Sequence, residues 1–135
     1  MKQFMKLMII VMVTILCQSY MHAQQEGVTG FTVVKMGVGT GMENRELVGE
    51  AETFPVETEK VYCSLAVKDI SVDTTVTFVW SLDGKELNRT TVSLKQGSRW
   101  RTWAQKAIYN KKGDWRVDLQ DSTGNVVHSV SFKIE

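Results

Sequence analysis

Thr74-Thr75-Val76-Thr77-Phe78-Val79-Trp80-Ser81-Leu82, followed by Asp83-Gly84-Lys85, is the stretch that decides the fold. Val76, Phe78, Trp80 and Leu82 fall on one side of an extended chain, because successive side chains of a strand point to opposite faces. Asp83-Gly84 is a hairpin signal, since glycine accepts the positive φ of a tight turn. A strand with one buried face, then a reversal, is the reading. Upstream, Val61, Cys63, Leu65 and Val67 alternate in the same way. Downstream, Leu87 to Leu94 is a weaker strand closed by Gln96-Gly97. Asp114 to Gln120 places Trp115, Val117 and Leu119 inward. Ser122-Thr123-Gly124-Asn125 turns the chain, and Val126 to Ile134 alternates again through Val130 and Phe132. No stretch carries a helical period, and Pro55 is the only proline. The pattern predicts an all-β protein, a single immunoglobulin-like antiparallel β-sandwich of about seven strands. Its expected core holds Cys63 on one strand, Trp80 on the next, and Trp115 with Val117 near the end. Val117 stands where immunoglobulin domains carry their second cysteine, so Cys63 is read as a buried, unpaired thiol.

The first 23 residues read differently. Lys2 and Lys6 precede eleven uncharged residues from Leu7 to Cys17, and Ala23 offers a cleavage edge. This is the layout of a cleavable signal peptide, 1–23, ahead of one domain, 24–135. A membrane helix needs roughly 20 apolar residues, so no stable span is expected after cleavage. A lipoprotein anchor at Cys17 is the competing reading, and Leu16 before it is larger than such anchors normally allow. The expected location is periplasmic or secreted. Cleavage leaves Cys63 as the sole cysteine, which excludes an internal disulfide. It also leaves 14 basic against 15 acidic residues. So balanced a charge provides no whole-protein drive toward nucleic acid or anionic membrane.

The balance hides two opposite blocks. Glu43, Glu46, Glu50, Glu52, Glu57 and Glu59, with Arg45, net −5. Lys85 to Arg116 nets +7. Either the blocks pair within the fold or the basic one faces a negative partner. The acidic block reads as a solvated strand face, because it lacks the oxygen-ligand spacing of a calcium loop. Gly37 to Gly41, just before it, reads as a flexible connection, since no lysine-hydroxyl pair follows to make a phosphate loop. Within the basic block, Arg99-Trp100-Arg101-Thr102-Trp103 is the sharpest feature. Trp100 and Trp103 have opposite parity, so one enters the core and the other is exposed or packs under an arginine. Exposed tryptophan between arginines suits partner recognition by stacking and guanidinium contacts. The candidate binding residues are Arg99, Trp100, Arg101, Trp103, Lys106 and Arg116. The competing reading has arginine stacking on tryptophan purely within the domain.

From about Met36 to Glu135 the chain resembles DUF2914, a bacterial domain of unknown function. The resemblance rests on Gly41-Met42-Glu43-Asn44-Arg45-Glu46, Lys60-Val61-Tyr62-Cys63, Val79-Trp80, Asp83-Gly84-Lys85, Arg99 to Trp103, Lys106 and Gly113-Asp114-Trp115-Arg116-Val117. Asp121, Gly124 and Phe132 extend it. The family often has histidine at Phe78, tyrosine at Ser81, serine at Ala104 and proline at Leu47. Any chemical role of that histidine or serine is therefore lost in this chain. The resemblance implies an exported or membrane-tethered all-β module and brings no activity with it.

Catalytic signatures are scarce. His128 is the only histidine after cleavage; it shares the parity of Val126, Val130 and Phe132 and reads as a packed or edge residue. It has no partners at metal-ligand spacing, so no metal, cofactor or catalytic residue is expected. The sequence thus points to a non-catalytic binding module of the cell envelope, its partner an envelope protein or, alternatively, a cell-wall glycan such as peptidoglycan. An enzyme built on His128, Glu43, Glu46 and Asp114 is the third reading, with no spacing that brings them together.

Overall fold

A computed structural model describes residues 30–135; the expected signal peptide, its cleavage edge at Ala23 and the alternative anchor at Cys17 lie outside them. Seven long strands carry the architecture: β1 (Thr32–Gly39), β5 (Lys60–Ile70), β6 (Thr74–Leu82), β7 (Lys85–Leu94), β8 (Gly97–Ala107), β9 (Gly113–Gln120) and β10 (Val126–Ile134). Three short ones, β2 (Gly41–Glu43), β3 (Glu46–Val48) and β4 (Thr53–Phe54), lie between β1 and β5. One sheet has the order β1-β5-β8 and the other β4-β10-β9-β6-β7, with β2 and β3 a separate hairpin. Every pairing is antiparallel except that of β4 on β10. The expected all-β sandwich is what forms.

The period-two pattern explains the core. Val61, Cys63, Leu65 and Val67 of β5 turn inward, and so do Val76, Phe78 and Trp80 of β6. Trp115 and Val117 of β9 join them, so the four residues read as core (Cys63, Trp80, Trp115, Val117) are all buried. Phe132 ties the aromatic centre together. It stacks on its cross-strand neighbour Trp115 at 5.8 Å and meets Trp80 and Phe54 edge-on at 6.3 and 5.8 Å. Trp115 Nε1 donates to the Lys111 carbonyl at 2.9 Å, while the buried Trp80 Nε1 meets no acceptor among the described residues. Leaving one donor unpaired costs about 1–3 kcal/mol. Burying roughly 200 Å² of indole contributes about 5 kcal/mol, so the apolar gain wins.

The structure corrects two local expectations. Gly37 to Gly41 is not a flexible connection: β1 runs through Gly39, with Gly37 opposite Ser64 and Gly39 opposite Tyr62. The β2–β3 hairpin lies on these glycines. A Cβ at Gly39 would come within 2.5 Å of the Val48 carbonyl oxygen, so the missing side chains allow close backbone approach. His128 does not share an apolar face. A bulge between Val126 and His128 shifts the register, which turns Val127 toward the core and leaves His128 exposed.

Candidate functional site on the three-stranded sheet

The register of β8 on β5 decides where the tryptophan-arginine segment points. Val67 faces Trp100, Leu65 faces Thr102 and Cys63 faces Ala104, all on the inward row. Arg99, Arg101 and Trp103 take the outward row, opposite Lys68, Ala66 and Ser64. Trp100 packs against the core, whereas Trp103 is 41% exposed. Of the two tryptophans, Trp103 is the surface residue.

The other two candidates lie elsewhere. Lys106 is on the inward row at the far end of β8, half-buried, with Nζ donating to the Ala107 carbonyl at 3.3 Å. Burial, then the nearby charge of Lys111, pulls its pKa below the usual lysine value. Arg116 is on β9, opposite Ser81 and Ser131, on the outer face of the other sheet. Its Nε lies 3.0 Å from Asp118 Oδ1. The six candidates therefore do not make one surface: Arg99, Arg101 and Trp103 do, Trp100 supports them from below, and Arg116 is on the opposite side of the sandwich.

A feature invisible to the pattern reading completes the surface. Asn44 and Arg45, both at positive φ (51° and 65°), turn β2 into β3, and the hairpin folds back over the sheet. Between it and β8 runs a groove of about 380 Å³ floored by Ser64 and Ala66 and walled by Arg45, Leu47 and Arg101. Among the described residues one ion pair joins two of its lining side chains, Arg101 to Glu46 at 3.8 Å, while the lining Lys35 lies 3.5 Å from Glu50. Lys68 and Arg99 stand directly opposite one another, both exposed, and neither makes an ion pair with a described residue. Like charges facing each other across strands are destabilising. Lys68 escaped the sequence reading because it belongs to neither charge block; its outward parity beside Ser64 and Ala66 was the available signal.

A second depression, about 630 Å³, lies on the outer face of the five-stranded sheet among Ser81, Asp114, Arg116, Ser131 and Lys133. It is shallow, mixed in charge, and its arginine is already held by Asp118. Reactive groups are sparse in both places. Burial pushes the Cys63 thiol up to about 12. Among the described residues no three or more His, Cys, Asp or Glu side chains gather to hold a metal ion, and no helix is long and apolar enough to cross a membrane.

Fold and surface together define a small β-sandwich with a cationic, aromatic outer strand. Residues 73–134 match the family model of DUF2914, "Protein of unknown function", which is the family the sequence resembles. The match takes in β6 through β10; the resembling pieces between Met36 and Cys63 lie before it. Phe78 and Ala104, where the family often carries histidine and serine, are both buried. No curated protein matches the chain. Among solved structures, the C-terminal domain of wzt is similar at a TM-score of 0.53 and 13% identity, over 81% of this chain and 75% of that one. That likeness shows the fold alone. Beta-glucosidases from Listeria innocua (a mutant with laminaribiose; TM-score 0.49, 10% identity, 78% of this chain) and Kluyveromyces marxianus (TM-score 0.48, 12% identity, 80%) are also similar. The chain spans only 16% and 15% of their respective lengths.

Proposed function

We propose that the protein is a non-catalytic binding module of the cell envelope, which takes an anionic protein partner on the outer face of its three-stranded sheet. One observation carries this reading: Lys68, Arg99 and Arg101 gather on one face beside the exposed Trp103, and among the described residues Glu46 is their one ion-pair partner. Holding like charges together costs stability unless an anion relieves it. Trp103 adds a flat apolar contact of the kind that anchors interfaces. The test is cross-linking of residues 24–135 in the native envelope beside a folded Arg101→Ala/Trp103→Ala protein. Loss of a specific partner in the variant is the expected result; undiminished capture would overturn the reading.

The groove supports a second reading. Its floor of Ser64 and Ala66, next to an exposed indole, leaves room for a sugar ring to stack. A cell-wall glycan would then co-sediment with the protein in a salt-dependent manner, and the same double variant would stay in the supernatant. Failure of wild-type protein to sediment with purified wall material would end this alternative.

A further inference from the structure

The two sheets have four outer edges, and three of them are obstructed. β1 carries a bulge between Val33 and Lys35. β7 pairs irregularly with β6, its Leu87 falling outside the register between Trp80 and Ser81. β4 is only two residues long and pairs with Lys133 and Ile134 of β10, whose remaining edge is broken by the bulge between Val126 and His128. β8 differs from all three. It is eleven residues long, its register with β5 runs from Gly97 to Ala107 without a shift, and no described strand lies on its other side. Sheet proteins blunt such edges with bulges, prolines or short strands, because an unpaired row of N–H and C=O groups is a template for another chain. β8 has no proline and no bulge.

Its side chains indicate what kind of chain fits. Gly97 to Ala107 contains Arg99, Arg101 and Lys106 and no acidic residue. Lys68 stands behind Arg99 on β5, and Lys111 is near enough to Lys106 to depress its pKa. A second copy of this chain would bring three cations against three. An acidic strand would instead pair its carboxylates with Arg99 and Arg101. Opposite charges across strands are favourable and like ones are not. We propose that β8 takes up an extended acidic peptide segment as a fourth strand of this sheet, by main-chain pairing along its free edge. This rests on the binding-module reading and specifies how that surface engages its partner.

The probe is a synthetic nine-residue peptide alternating glutamate with valine or threonine, titrated into residues 24–135 by heteronuclear NMR. Two further peptides carry N-methyl groups on alternate residues, one in each phase. Strand addition predicts that one methylated phase loses at least about tenfold in affinity while the other stays within about threefold of the parent. That follows because only every second amide of an added strand faces its neighbour. It also predicts slowed exchange at alternate β8 amides. Arg99→Ala and Arg101→Ala should each weaken binding about two- to fivefold, the effect of one cross-strand charge pair. Binding that is lost in the arginine variants but indifferent to both methylated phases overturns strand addition and leaves the binding module standing. No binding of the parent peptide overturns it as well. Concentration-dependent dimerisation that slows β8 amides without peptide would assign the edge to a second copy instead.

Discussion

Gly39 lies where the β3 backbone crosses β1, and its single hydrogen leaves the only space for the Val48 carbonyl. Gly84 is the opposite case: it sits at φ 81° in the β6–β7 turn with nothing near its would-be Cβ. Gly39→Ala should therefore cost about 1–3 kcal/mol by overpacking, and Gly84→Ala about 1 kcal/mol from the left-handed backbone alone. Urea denaturation of the two variants separates these costs; equal midpoints would mean that the crossing at Gly39 relaxes freely. Asp121 is a third residue whose role is local. Its Oδ1 accepts from the Thr123 amide at 2.9 Å, the Thr123 hydroxyl at 2.6 Å and the Asn125 amide at 3.0 Å. These bonds, the Thr123 side chain first, hold its carboxyl below the usual value. A lowered folded pKa stabilises above the unfolded value, near 3.9, and the benefit disappears as pH falls through the folded one. Asp121→Asn should cost about 1–2 kcal/mol at neutral pH and less at pH 2, by thermal unfolding at both. Cys63 runs the other way. Its folded pKa of about 12 exceeds the unfolded thiol's, near 8.5, so its contribution is full below pH 8 and fades as pH rises toward 12. A thiol reagent at pH 8 should label it only after denaturant is added; rapid labelling of folded protein would contradict its burial.

At the scale of elements, strands whose side chains alternate without interruption were legible and those with an insertion were not. β9 keeps period two from end to end, and β5 keeps it from Val61 to Val67, before Asp69 at φ 53° brings Ile70 inward. In β6 the inward row of Val76, Phe78 and Trp80 is in phase, although Val79 and Ser81 on the other row are buried too. The in-phase residues could be named from sequence. β10 loses its phase at Val127, because a bulge adds one residue without leaving a mark in composition. β2 and β3 are three residues each, too short to show a period, and their turn uses Asn44-Arg45 instead of glycine. That is why the hairpin over Gly37 and Gly39 was read as loop and acidic face. β8 was legible in parity, although parity alone could not choose between its tryptophans; the register on β5 did. The choice has a measurable consequence. Trp100→Ala removes a side chain packed on the core and should destabilise by about 3 kcal/mol. Trp103→Ala, cut from the surface, should stay within about 1 kcal/mol. Similar losses in both would mean that Trp103 is part of the packing and not a contact residue.

Across the whole molecule, near-neutral net charge conceals a division that the fold only partly cancels. The acidic block reaches the basic strand through the Glu46–Arg101 pair at 3.8 Å, both side chains more than half exposed. Exposed pairs of this kind contribute roughly 0–1 kcal/mol, so the hairpin hardly depends on it. Glu46 does occupy the arginine that an anionic partner would seek. The block that was read as either an internal counter-charge or a bystander is, at this one position, a competitor. Glu46→Gln should therefore leave the unfolding midpoint within about 3 °C of wild type, a change below about 0.5 kcal/mol. It should tighten binding of an acidic peptide about two- to fivefold at low ionic strength, the size of one freed cross-strand charge pair. The advantage should shrink at 0.5 M salt, where the screening length falls to a few ångströms, about 4 Å. Unchanged affinity at low salt would mean that Arg101 is not where the partner's charge lands. The surface would then have to work through Lys68, Arg99 and Trp103 alone.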